Sequence, residues 1–307
     1  MAFAQNSRSG LSYVVESTFG TTPATPTFVT LPYSTQSLQL TKERVAGNDI
    51  QSDEMTRVDR HGNRTVAGEI AVDLRMADYD PFLESVMGSA WATDVLKVGT
   101  TAKYFSIEDG ATDISQYRLF TGCTVSTMAV SIAPNQMVTA NFTMVGQDMA
   151  IAGTTAASSL TASSTNAPFD SYSGDMAIGN AGGSSSVAVV TGIDFTVSRG
   201  YEPTYVVGSD TAPCLVRGRA EVEGTFTAYF EDETLVNRFL NETETEIEVS
   251  VDDPTGSNPY TFMFPRCKIN GADVPVDANT GPRVISIPFV AIYDTTEDTN
   301  IKITRST

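Results

Sequence analysis

The chain has 307 residues, 41% of them hydrophobic, with 19 basic and 37 acidic side chains and a formal charge of −18 at pH 7. That length suits two domains of about 100–150 residues, each with its own core, and no apolar run reaches the roughly 20 residues of a membrane helix. Such acidity excludes a protein that grips nucleic acid by neutralising phosphates; it is compatible with simple solubility and with a wall that lets a polyanion pass without holding it.

The N-terminus has no basic patch followed by an apolar core, so no secretory signal is expected and folding is expected in the cytoplasm. Residues 1–35 read as an N-terminal arm. A short apolar run from Leu11 to Val15 is followed by Gly20-Thr-Thr-Pro-Ala-Thr-Pro26, whose prolines and glycine favour extended or turn structure. Residues 36–150 read as a first domain. It opens with a charged stretch to about residue 66, expected to be a long solvent-side loop or an extended hairpin in contact with a neighbouring subunit.

At Gly68 a strand begins, with Ile70, Val72 and Leu74 at every second position. A short helix follows: Asp80 and Pro81 start it, Phe82, Leu83, Val86 and Met87 fill one face, and Gly88 stops it. A strand from Tyr117 to Cys123, a turn-rich break and a last strand from Val138 to Val145 complete the unit. Residues 151–190, rich in Ala, Ser, Thr and Gly, read as a linker or surface loops hiding a strand near 169–178.

The same order then returns. In residues 191–307 Gly224 opens a strand with Phe226, Ala228 and Phe230; a helix follows with Leu235, Val236, Phe239 and Leu240, stopped at Asn241. A strand from Tyr260 to Cys267 and a last one from Val284 to Ile292 match those of the first unit. Such self-similarity predicts a duplicated domain, and the class is mainly β, as two tandem sandwich or barrel domains with one short helix each.

No catalytic constellation is legible. His61 is the sole histidine and has no orienting partner nearby. The acidic pairs Asp252-Asp253 and Glu231-Asp232-Glu233 lack calcium-loop spacing, and the glycine-rich 179–186 lacks a phosphate-loop ending. Cys123, Cys214 and Cys267 are too few and too far apart for a zinc cluster and read as small buried hydrophobes. No enzyme activity, cofactor or metal is expected.

Four segments carry a family resemblance: LSYVVESTFGTTP at 11–23, SLQLTKERVAGNDIQSDEMTRVDR at 37–60, VAGEIAVDLRMADYDPFLESVMGSAW at 66–91, and the strand pair closing at Asp148. With them the chain resembles the major tail tube proteins of long-tailed bacteriophages, well over residues 10–150 and more loosely beyond. The resemblance implies a virion protein made in the host cytoplasm and placed in the tail. It implies rings stacked around a lumen for double-stranded DNA, which passes without specific binding, and partners that include tape-measure, tail terminator and tail-tip proteins.

Tandem domains would make the ring a trimer with pseudo-sixfold symmetry, where one domain per chain would make a hexamer. The resemblance also places the arm and the charged stretch at contacts between rings and subunits, through Arg44, Asp49, Asp53, Glu54, Arg57, Asp59 and Arg60. The competing readings are a two-domain β-sandwich adhesin or carbohydrate binder, marked by clustered exposed aromatics, and a hydrolase on a β scaffold, which needs an acid and base converging in space.

Overall fold

In the computed structural model, which describes residues 3–50, 52–53, 55–180, 182–186, 190–256, 259–276 and 281–306, strands take up 54% of the chain and helix 6%, so the class is mainly β. The first half carries β1 (Ser9–Glu16), β2 (Thr27–Thr30), β3 (Thr35–Gln36), β4 (Gln39–Ala46), β5 (Asp59–Asp73), α1 (Asp80–Met87), β6 (Val95–Lys97), β7 (Tyr104–Ala111), β8 (Gln116–Ile132), β9 (Thr139–Gly146), β10 (Asp148–Ala152) and β11 (Ser159–Thr161). The second carries β12 (Asp170–Asn180), β13 (Gly183–Ser186), β14 (Val190–Ser198), β15 (Glu202–Thr204), β16 (Cys214–Val216), β17 (Glu221–Tyr229), α2 (Thr234–Leu240), β18 (Thr245–Asp252), β19 (Tyr260–Ile269), β20 (Val284–Ala291) and β21 (Lys302–Arg305). Among the described residues no barrel closes, and no helix is long and apolar enough to cross a membrane.

Two layers make the first half, and β8 belongs to both. Its beginning pairs with β7 and β10, its end with β9 and β14. The change of layer comes at Gly122, whose φ of 64° is a left-handed conformation that glycine adopts without a Cβ clash. The buried Glu16 carboxylate holds this bend, accepting from the Gly122 amide at 2.9 Å and the Ser106 hydroxyl at 2.7 Å. β19 changes partners in the same way, pairing with β18 up to Cys267 and with β20 from Cys267 onward.

The helix α1 fills the wedge between the layers. Phe82 lies 5.0 Å from the Tyr13 ring, 4.8 Å from Phe105 and 5.5 Å from Phe142, so one side chain joins β1, β7 and β9. The helix ends where expected, at Gly88 with φ 69°, a backbone conformation that non-glycine residues adopt at a cost.

Several expectations change. Within the stretch read as an arm, β1 pairs with β7 along its whole length and buries Leu11 and Tyr13, because their period-two spacing suits a core strand. The charged stretch is the extended hairpin of the two alternatives, β4 against β5. The stretch 151–190 carries the strand expected near 169–178, β12, which pairs with β18, and Phe169 just before it is fully buried. Cys214 is exposed, whereas Cys123 and Cys267 are buried. The helix α2 has the apolar spacing of α1 but no buried residue, since only a short turn, with no covering segment, separates it from β18.

Two ladders weld the halves. β8 pairs with β14, and the C-terminal strand β21 reaches back to β6. The strand order β4-β5-β9-β8 in the first half reads β14-β17-β20-β19 in the second.

Candidate functional site

The β8–β14 ladder makes β5, β9, β8, β14, β17 and β20 one continuous sheet across both halves, and its two faces are opposite in character. On one face Ile70, Phe142, Met128, Val197 and Val222 follow one another from strand to strand, all buried. That face rests on the core.

The other face is wet. One cross-strand row runs Glu69, Thr143, Thr127, Ser198, Glu221; the next Ala71, Asn141, Ala129, Thr196, Glu223, Val290; the third Asp73, Thr139, Ser131, Asp194, Thr225, Pro288. All of these residues are exposed or half-buried. The rows bear the carboxylates Glu69, Asp73, Asp194, Glu221 and Glu223 without one lysine or arginine. Asn141 donates to Glu69 at 2.8 Å, and Ala129, Asn141, Thr196 and Glu223 line a shallow depression across the junction. The surface presents threonine, serine and carboxylate oxygens, with no aromatic ring in its rows.

The residues expected at subunit contacts gather on the β4–β5 hairpin. Arg44 pairs with Asp59 at 2.8 Å across its two strands and Arg57 pairs with Asp53 near its tip; Asp49 and Arg60 are exposed there. Glu54 lies outside the described residues. These pairs sit in water and contribute little to folding, so the hairpin's charges are available to another surface.

Arg64, absent from those expectations, is the buried-side anchor of the same hairpin. It pairs with Asp148 at 3.0 Å and Asp210 at 3.1 Å, its amide donates to the Asp210 carbonyl at 2.9 Å, and its carbonyl accepts from the Tyr205 hydroxyl at 3.2 Å. The segment carrying β15 and β16 thereby folds back onto the first half. Its spacing from Asp210 in the chain hides this contact from sequence.

His61 is exposed on β5 opposite Arg44. Burial pushes the Cys123 and Cys267 thiols up, away from the thiolate a nucleophile needs. Among the described residues no group of three or more His, Cys, Asp and Glu is placed to hold a metal ion.

Residues 6–291 match the family described as phage tail tube protein. The chain belongs to that family. No curated protein matches it. For a phage tail tube protein the large features of the sheet make sense together: a dry face on the core and a wet face whose rows carry carboxylates. The sequence signal for the wet face was present, since Glu69, Ala71 and Asp73 alternate with Ile70, Val72 and Leu74.

Proposed function

We propose that this tail tube protein builds the tube wall with its wet sheet face toward the lumen, and that double-stranded DNA passes along this face without being held. The observation that carries the reading is the charge of that face: five carboxylates and no lysine or arginine on the rows of these six strands, with Lys268 of β19 beside Val290 at their end. Phosphates near such a wall meet a like-charged, hydrogen-bonding surface that gives them no ion pair to break. A basic lining would trade counterions for phosphates and bind DNA more tightly with each contact.

The repeated strand order supports a chain of two tube domains, so three chains make a ring with six similar lobes. Stacked rings then need axial contacts, and the exposed hairpin with Arg44, Asp49, Asp53, Arg57, Asp59 and Arg60 is the element that projects. Tape-measure, terminator and tail-tip proteins are the further partners in this reading, and the virion tail is its location.

Electron microscopy of the purified protein, with end-on symmetry determined without imposing any, tests it. Threefold rings with six lobes are expected. Sixfold rings would remove the tandem-domain reading and keep the tube; a protein that stays monomeric at high concentration, in a phage whose tails form without it, would remove both.

A further inference from the structure

The contact that joins the two halves inside one chain also describes the contact between chains. At the internal junction Thr127 faces Ser198, Met128 faces Val197, Val130 faces Phe195 and Ile132 faces Ile193. The Arg199 amide then donates to the Ser126 carbonyl at 2.8 Å. Each side of this junction has a counterpart at a free edge.

On one side, β3 and β4 stand where β14 stands. Gln36 faces Ile70 and Gln39 faces Ala67 on β5, as Ile193 faces Phe226 and Thr196 faces Glu223 on β17. The match runs without a gap, so Leu38-Gln-Leu-Thr-Lys42 lies on Phe195-Thr-Val-Ser-Arg199. A glycine lies under the same residue in both: a Cβ on Gly68 would fall 2.7 Å from the Leu38 Cα, and one on Gly224 2.9 Å from the Phe195 Cβ.

On the other side, the chain continuing β19 stands where the end of β8 stands. Asp273 faces Ser286 on β20 as Ala129 faces Asn141 on β9, and the Asn270 amide donates to Pro288. Asn270–Val276 is therefore the counterpart of Ser126–Ile132. Among the described residues neither β4 nor this segment has a ladder partner on its outer side, and Leu40 is half-exposed where its counterpart Val197 is fully buried.

The charges agree as well. The buried Arg199 reaches the C-terminal end of α1, donating to the Gly99 carbonyl at 2.8 Å next to Gly88. Lys42 holds the corresponding place on β4. At the C-terminal end of α2, Phe239, Leu240 and Glu242 line an open groove with Lys268 and Asn270; a cation is favoured at a helix C-terminus, and Lys268 already donates to the Glu242 carbonyl at 2.5 Å. That groove is the part of α2 left uncovered in the single chain.

Resting on the tube reading above, we propose that Leu38–Lys42 of one copy pairs antiparallel with Asn270–Val276 of the next. The register sets Leu38 opposite Val274, Gln39 opposite Asp273, Leu40 opposite Ala272 and Thr41 opposite Gly271, with Lys42 at the end of the neighbour's α2. The partner is a second copy of this chain, and the sheet, eight strands from β4 to the continuation of β19, becomes continuous around the ring, closing edges that would otherwise invite uncontrolled pairing.

The test is disulfide trapping in assembled tubes of the full chain carrying Cys214→Ser. Directly opposed residues have Cα atoms roughly 4.5–5.5 Å apart, within the reach of a disulfide, whereas a one-residue slip puts side chains on opposite faces. Gln39→Cys with Asp273→Cys is expected to give covalent species up to the full ring, and Gln39→Cys with Val274→Cys none. Hydrogen exchange on unsubstituted tubes is independent of any variant: the Leu40 and Lys42 amides should slow by at least about tenfold on assembly, equivalent to about 1.4 kcal/mol of local stability. Tubes that form without this trapping or protection overturn the register and leave the tube reading standing; a chain that forms no tubes overturns both.

Discussion

Arg305, on the last strand, forms an ion pair with Asp80 in the first turn of α1. The same guanidinium reaches Asp94 at 3.3 Å and lies 4.5 Å over the Trp91 ring. The Tyr260 hydroxyl donates to Asp80 at 2.5 Å and accepts from the Ala77 amide at 3.0 Å. Residues from both halves thus converge on one carboxylate. Burial pushes the Asp80 carboxyl up, against the opposing pull of Tyr260 and Arg305, so the charge there depends on its partners.

Removing one partner of such a pair leaves the other charge buried and uncompensated. Arg305→Met should therefore lower unfolding free energy by about 3 kcal/mol in urea titration, and adding Asp80→Asn should cost less than the sum of the two single changes. A loss below about 1 kcal/mol, the level of an exposed pair, would mean that this cluster does not hold the halves together.

Glu297 gives the second weld its pH dependence. Its carboxylate pairs with Lys302 at 2.8 Å and Lys97 at 3.5 Å, and the Lys302 hydrogen bond, opposed by burial and helped by both ammonium charges, holds it below its ordinary 4.5. A folded-state pKa below the unfolded one means stability that is present above pH 4.5 and lost as pH falls through the depressed value. The stability gap between the natural chain and Glu297→Gln should be full at pH 7 and close in acid. A gap that persists unchanged at pH 3 would assign it to packing instead.

The two helices separate folding from assembly. Leu83 in α1 is fully buried, and Leu83→Ala should cost about 2–5 kcal/mol in the unassembled chain. Leu240 in α2 is largely exposed, and Leu240→Ala should change the unassembled chain by no more than about 0.5 kcal/mol. Leu240→Glu should then leave folding intact and reduce tube yield in electron micrographs; equal yield would place the end of α2 outside every contact.

Much of this was legible because burial followed alternation. Ile70, Val72 and Leu74 against Glu69, Ala71 and Asp73 announce both faces of β5, and Gly88 announces the end of α1. What stayed hidden depended on partners distant in sequence. β12 could be read as a strand near 169–178, but its pairing with β18, where a Cβ on Gly174 would meet the Ser250 carbonyl at 2.1 Å, could not. α2 repeats the apolar spacing of α1, but spacing cannot say whether a covering segment exists. β1 reads as an arm until β7 is known to lie beside it. The match of LQLTK at 38–42 to FTVSR at 195–199 is in the sequence, and only the ladders give it weight.

The wet face makes the sharpest functional prediction. Glu223 on β17 and Asp194 on β14 lie on adjacent rows of neighbouring strands and are exposed, so lysines there should leave the fold intact while reversing local charge. In phage carrying Asp194→Lys with Glu223→Lys, tubes should assemble and DNA release should slow, with the delay shrinking as salt rises, since each new phosphate contact is paid back by counterions at high ionic strength. Asp194→Asn with Glu223→Gln removes charge without adding a cation and should give a much smaller delay. Release that is unchanged by the lysines at every salt concentration would turn this face away from the lumen.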